Sequence, residues 1–461
     1  MNPSTNAPDA PLRSRATPPP QGPIRPFNLP EVRADKLTSG LRLRTIQRSE
    51  VPLVSAALVL EAGESLLSRQ AAGTAVLTGD SLTGGTAERS GAELSEAVER
   101  LGTGFQVSTG WDATSISFTC LAERLDETLS LLAEVVVGAS FPPEEVGRVR
   151  RQRLAALQQR RMNPASLADD ALAEAVFPPD HPYARSLSGE PGSVQGITRD
   201  AALAFFAERY RPGAGGFVLV GDIAADDVFA LADRHLSAWK GAALPLPELP
   251  TATLPGTRPV IVVDRPDAVQ SEIRIGLPGP SRGGPDDDAL EVGNSILGGA
   301  FTSRLNMNLR ERHGFTYGVR SRFAQRRHGG TFKIGTSVQT EVTARALAEA
   351  EGELRRFVSE GPTPSEVAQA REYLSGIFPL RMETTAQLTA RLAEVLIYHL
   401  PDDHHHRYRE RIRAVTPEGV RDAVGRHVDP GRARLVVVGD AKRIAGELED
   451  LGLGPVEVTS T

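Results

Sequence analysis

Hydrophobic and polar positions along this chain switch between two periods. Pro52 to Leu60 (PLVSAALVL) is a nearly continuous apolar run of strand length, followed by the turn residues EAGE. It predicts a buried strand. Thr45–Arg48, Ser115–Cys120 and Phe217–Val220 are strand candidates by the same reading. Between them the apolar positions recur at helical spacing. Ser90-Gly91-Ala92-Glu93 places a capping box ahead of Leu94, Val98 and Leu101, and Gly102 stops that helix. A second helix follows Phe141-Pro142-Pro143, with Val146, Val149 and Leu157 on one stripe. A third starts at Thr363-Pro364-Ser365-Glu366, a capping box with proline at the first helical position.

The pattern stops at residues 242–259 (AALPLPELPTATLPGTRP), a proline-rich stretch without apolar period that predicts a stiff, extended linker. Its two sides resemble each other. Thr198 and Thr416, Gly213 and Gly431, and Gly221 and Gly439 each stand 218 positions apart, within matching IT/VT, PG and VGD contexts. One unit is therefore written twice, with a period too long for a solenoid. Helices grouped beside mostly antiparallel strands predict an α+β fold of two homologous halves. The expected divisions are a disordered tail over 1–27, an N-terminal domain over 28–241, the linker, and a C-terminal domain over 260–455. The tail is rich in Pro, Ser and Arg and lacks the apolar core of a secretory signal.

Composition narrows the function. The net charge of −6 supplies no basic field for nucleic acid or an anionic membrane, so neither is an expected partner. No apolar run approaches the roughly 20 residues of a membrane-spanning helix. The single Cys120 excludes a disulfide framework and a multi-thiolate metal site, and it is expected in the core. These features point to the cytoplasm.

The search for chemistry is mostly negative. No two of the nine histidines are four apart, so neither H-E-x-x-H nor H-x-x-E-H occurs. No G-x-S-x-G elbow or Walker A loop is present. His404, His405 and His406 follow Asp402 and Asp403. Consecutive side chains diverge, so a solvated helix start is expected there rather than a metal site. His181 is expected in a loop, and Asp286 to Asp288 at a helix N-terminus. The stretch Ala71 to Thr86 (AAGTAVLTGDSLTGGT) has the strand, glycine turn and helix of an active site. It offers only Thr78, Asp80, Ser81 and Thr83 as exposed polar positions. SILGGAFTSRLNMNLRERHGFTYGVRSR, from Ser295, predicts a helix that Gly314 ends and a strand starting over Phe315–Val319. Arg310 and Tyr317 then flank one corner and could converge.

Together these segments resemble the insulinase/pitrilysin-like metallopeptidases, the inverzincins, over roughly Phe27 to Leu453. The resemblance rests on PLVSAALVLEAG with its glycine-framed helix, the HPY…G…IT segment, the two VGD strand ends and LGGAFTSRLNMNLRERHGFTYGV. It implies two halves forming one side of a clam-like chamber. In active members the glycine-framed helix carries H-x-x-E-H. Alignment puts Val76 and Asp80 at the histidine positions and Gly79 at the glutamate. The third zinc ligand falls at Ala155 or Ala156 in LAALQQRRMNP. Zinc needs three protein ligands to hold an activatable water, so this chain is expected to carry no cofactor.

The family also contains paired subunits in which one binds zinc and the other contributes an arginine and a tyrosine seven residues apart. Arg310 and Tyr317 match that spacing. The resemblance implies a non-catalytic subunit, inactive alone, that binds unfolded peptide beside a homologous zinc-bearing partner. The alternative is a structural or assembly subunit without a peptidase role.

Overall fold

A computed structural model describes residues 27–250, 252, 254 and 258–460. Of the tail expected over 1–27, all but Phe27 lies outside the described residues. Phe27 is already packed, with its ring edge-on to Phe378 at 6.0 Å.

Two six-stranded sheets carry the fold. The first contains β1 (Arg33–Lys36), β2 (Arg42–Gln47), β3 (Leu53–Leu60), β4 (Gln106–Thr109), β5 (Thr114–Leu121) and β6 (Gly215–Gly221). Their spatial order is β1-β2-β6-β3-β5-β4. The second contains β7 (Val260–Asp264), β8 (Gln270–Gly279), β9 (Val319–Arg326), β10 (Gly329–Gln339), β11 (Arg434–Gly439) and β12 (Val456–Ser460), in the order β12-β7-β11-β8-β10-β9. Five strands of each half correspond. The sixth comes from opposite ends of the repeat. β1 pairs antiparallel with β2, whereas β12 pairs parallel with β7. The second half therefore runs on to Ser460, past the expected end at 455.

The predicted strands over 45–48, 52–60, 115–120 and 217–220 appear as β2, β3, β5 and β6. The capping boxes at Ser90 and Thr363 are formed, and start the helices Gly91–Arg100 and Pro364–Ile377. The helix Pro143–Met162 buries Val146, Val149 and Leu157, as its stripe requires. Cys120 is buried in β5. The described part of the linker forms no helix or strand. It is docked rather than free: Leu249 and Ala252 pack beside Leu172 and Tyr183, and the Leu254 carbonyl accepts from Arg432 at 3.0 Å.

Each half lends a helix to the other. Pro164–Val176, from the first half, lies on β8 and β11. Thr385–Tyr398, from the second half, lies on β3 and β6. Glycines seat both crossings. A Cβ on Gly276 would meet the Leu172 side chain at 2.7 Å, and one on Gly216 would meet Leu396 at 2.5 Å. Ser55 Oγ also lies 2.8 Å from Thr385 Oγ1 across the second crossing, fully buried.

Two local expectations fail. Residues 402–406 form a turn, and the helix begins only at Tyr408. Asp402 is drawn away by Arg44 (2.9 and 3.1 Å), and His405 is buried with Nε2 3.0 Å from the Arg391 carbonyl. The strand after Gly314 starts at Val319, not Phe315.

Candidate functional site

The glycine-framed helix runs over Thr74–Ser81. Gly73 caps it at φ 90°, a conformation that favours glycine. Glu64, fully buried, accepts from Gly73 N at 2.5 Å and Ala75 N at 3.2 Å, so a carboxylate closes the positive end of the helix. Arg185, also buried, donates to the same carboxylate at 2.9 Å. Burial pushes the Glu64 carboxyl up to about 7, while Arg185 and the backbone donors pull the other way.

The helix packs against β4 and against the helices Pro143–Met162 and Arg199–Arg209. Thr78 and Ser81 are therefore buried, contrary to the expectation of exposed polar positions. Thr78 resolves its hydroxyl by donating to the Thr74 carbonyl at 2.8 Å. Asp80 is the most exposed of the four, though its side chain is only 31% accessible, and Thr83 is half-buried.

A cleft of about 410 Å³ brings Gly79 and Asp80 together with Arg153 and Ala156. Of Ala155 and Ala156, Ala156 is the one that faces the cleft. Val76 is buried and does not line it. Asp80 is ion-paired to Arg153 through both Nε and Nη2. Burial raises its carboxyl pKa and Arg153 opposes that rise. A guanidinium thus occupies the cationic place in this cleft. Arg153 stands three residues before Ala156, on the same helix face. Sequence reading missed it, although the lone Asp80 calls for a countercharge.

Gly79 is sterically closed as well. A Cβ there would lie 2.3 Å from Thr109 Oγ1. Rotating Thr109 away would break its 3.0 Å contact with Thr114 Oγ1. The residues do not fit a zinc site: one carboxylate is already paired, and the other three positions offer no donor atom. Among the described residues, no group of three or more His, Cys, Asp or Glu could hold a metal ion.

The second feature sits on the other half. Asn306–Arg312 winds as a π-helical segment, with His313 N donating to the carbonyl five residues back, Asn308 O, at 3.1 Å. Such segments are frequent at functional sites. Gly314 turns the chain at φ 64°. Asn306 then staples the corner, accepting from Val319 N at 3.1 Å and donating to the Ala300 carbonyl at 3.2 Å. Thr316 accepts from Gly318 N at 3.1 Å. The pinned loop carries Tyr317 outward, 99% exposed. The Arg310 guanidinium lies 4.3 Å from the centre of the Phe301 ring. Arg310 and Tyr317 share this corner, but no hydrogen bond or cation–π contact joins them among the described residues.

Other predicted residues are structural. His181 is buried, stacks on Phe177 at 4.7 Å and accepts from Tyr183 N at 3.1 Å. Asp286, Asp287 and Asp288 pair with Arg426, Arg282 and Arg411 respectively. Among the described residues no helix is long and apolar enough to cross a membrane.

Residues 43–190 match the family model described as insulinase (peptidase family M16). Residues 196–374 match the one described as peptidase M16 inactive domain. A Mycobacterium tuberculosis protein called an uncharacterized zinc protease is 27% identical over 410 residues, covering 88% of this chain and 93% of that one. The non-peptidase homolog YmxG of Helicobacter pylori is 25% identical over 390 residues, covering 84% and 89%. The crystal structure of a peptidase M16 inactive domain from Pseudomonas fluorescens superposes with a TM-score of 0.83 at 28% identity, over 88% of this chain and 98% of that one. Two halves built alike, a glycine-framed helix without its metal ligands and these matches lead to one conclusion: the chain belongs to the insulinase family, peptidase family M16, as a member that lacks the zinc motif.

Proposed function

We propose that this chain is the non-catalytic subunit of a heterodimeric zinc metallopeptidase. It binds unfolded peptide and supplies Arg310 and Tyr317 to the active site of a homologous, zinc-bearing partner. The observation that carries this reading is the corner at Gly314. A fully exposed phenol shares that corner with a partly exposed arginine, whose guanidinium lies over the exposed Phe301 ring and 3.6 Å from Glu311. A guanidinium and a phenol suit a substrate carbonyl and the oxyanion that develops from it. The paired Asp80 and Arg153 support the same reading, because this chain's own cleft has no place for an activated water.

The test is co-expression with a homologue that retains H-x-x-E-H, followed by size exclusion and a peptidase assay. A stable pair should bury more than ~1,200 Å². Arg310→Ala and Tyr317→Phe should lower kcat more than they raise KM, because the donors act as charge develops. Loss of one oxyanion donor costs on the order of 10²–10³ in kcat in well-studied hydrolases, and Tyr317→Phe should fall at or below that range while Arg310 remains. Arg312, exposed and two residues from Arg310, is the control. Wild-type kcat/KM in both site variants, or equal damage from Arg312→Ala, would overturn the role in trans. An intact pair without any turnover would favour the assembly-subunit alternative.

A further inference from the structure

The uncovered face of the second sheet carries more positive charge than the fold requires. The helix Pro164–Val176 covers β8 and β11 but leaves β9 and β10 open at the sheet's edge. There Arg320 pairs in register with Gly335, and Arg322 with Lys333. Gly335 in turn faces Arg274 on β8. Like charges directly opposite each other, as at Arg322 and Lys333, destabilise a sheet. Asp169 relieves part of this, at 2.7 Å from Arg274 and 2.9 Å from Lys333, and Glu272 meets Arg274 at 2.9 Å. Arg320 and Arg322 are exposed and have no carboxylate partner among the described residues. They line a cleft of about 500 Å³ together with Arg274, Lys333 and Thr336, and with Glu272, whose charge Arg274 takes up.

The internal repeat supplies a control. Val218 and Val436, 218 positions apart, anchor equivalent rows across the two sheets. The first row reads Gln106, Ser117, Ala57, Val218, and the second reads Arg320, Gly335, Arg274, Val436. One step along, Ser108 and Ser115 stand where Arg322 and Lys333 stand. Four cations thus replace Gln106, Ala57, Ser108 and Ser115 on one backbone plan. Arg274 and Lys333 are accounted for by Asp169 on the crossing helix, but the first half holds the same edge without the exposed pair Arg320 and Arg322, so the charge of that pair serves something other than folding.

The cleft also adjoins the Tyr317 corner. Tyr317 stands three residues before Arg320, where the edge strand begins, and its loop is held from the opposite face of the sheet by Thr336, with Oγ1 2.9 Å from Thr316 Oγ1 and 3.1 Å from the Gly318 carbonyl. Arg320 and Arg322 alternate along β9, so their Cα atoms are roughly 6.6 Å apart, the repeat of any extended chain.

We propose that this cleft selects extended peptides bearing two carboxylate side chains on alternate residues, docking them on Arg320 and Arg322 beside Tyr317. The inference names the substrate class and rests on the peptide-binding reading above.

Fluorescence anisotropy of the purified full chain tests it. The probes are a labelled decapeptide with glutamates at two alternate positions, its glutamine isostere, and a version with the two glutamates adjacent. The alternate-glutamate peptide should bind roughly tenfold tighter than the isostere at low salt, and the margin should shrink at high salt. Arg320→Gln with Arg322→Gln should abolish the margin, and lysine at both positions should retain most of it. Equal affinity for the three peptides, or a preference that survives the glutamine variant, overturns the proposal. So does a preference that vanishes when the peptide's C-terminus is amidated, which assigns the cleft to a terminal carboxylate. An oligonucleotide of equal charge that binds tighter through the same arginines also overturns it. The two readings fail separately. If Tyr317→Phe still lowers turnover of a neutral peptide, lost acid selectivity removes only this proposal. If selectivity holds while Tyr317→Phe is silent, only the role in trans falls.

Discussion

Gly79 is the residue whose replacement says most about the vanished site. Overpacking a tight position costs typically ~1–3 kcal/mol. Gly79→Ala should therefore lower the thermal midpoint, because its Cβ meets Thr109 Oγ1 at 2.3 Å. Thr109→Ala in the same chain should recover most of that loss, and a differential scanning experiment on the two variants decides it. The consequence is that rebuilding H-x-x-E-H here requires room at Thr109 and removal of Arg153, not only new ligands.

The buried histidines set a second residue-scale expectation. Burial, with repulsion from Arg326, holds His181 at about 4, and burial holds His405 at about 4. Both fall below the unfolded value of 6.5, so the native state binds fewer protons than the unfolded chain between those limits. Their contribution is present above pH 6.5 and is lost as pH falls through about 4. Each can cost up to ~1.4 kcal/mol per pH unit across that window. Glu64, held at about 7 against an unfolded 4.5, binds its proton in the native state over the same range and offsets one of the two histidines, so the thermal midpoint should stay nearly flat from pH 7 to 6.5 and then fall toward pH 4.5. His181→Asn, which keeps an acceptor for Tyr183 N, should flatten the slope.

At the scale of elements, the exchanged helices do more than their length suggests. Leu172 is 2% exposed and Leu396 3% exposed, each seated over a glycine of the opposite sheet. Truncating a buried leucine costs about 2–5 kcal/mol, more where the cavity cannot collapse. Leu172→Ala lies on a first-half helix yet should loosen the second sheet. Leu396→Ala should do the reverse. Hydrogen exchange of β8 and β11 in the first variant, and of β3 and β6 in the second, reads this directly. Loss of protection confined to each helix's own half would refute the exchange as a stabilising device. The start and stop signals of these elements were legible in sequence, because caps and glycine stops are local chemistry. Their destinations were not, since an apolar stripe states that a face is buried and not by what.

For the whole molecule, the same exchange predicts that the halves do not fold alone. Residues 28–241 and 260–460 expressed separately should each expose an uncovered sheet face and aggregate, or show little cooperative melting. Co-expressed, they should recover a compact complex on size exclusion. Two independently folded, monomeric halves would contradict this. The duplicated α+β plan is readable from the residues alone, because a 218-residue offset survives in turn and strand-end residues whose backbone demands are local. So is the loss of the zinc motif, since chemistry that needs particular side chains is absent when those side chains are absent. What took their place depends on the folded chain. Asp80 and Arg153 are 73 positions apart, Gly79 and Thr109 are 30 apart, and the cationic row joins β8, β9 and β10. Charge balance and steric closure are set by distances in space, and those exist only once the sheets are paired and the helices exchanged.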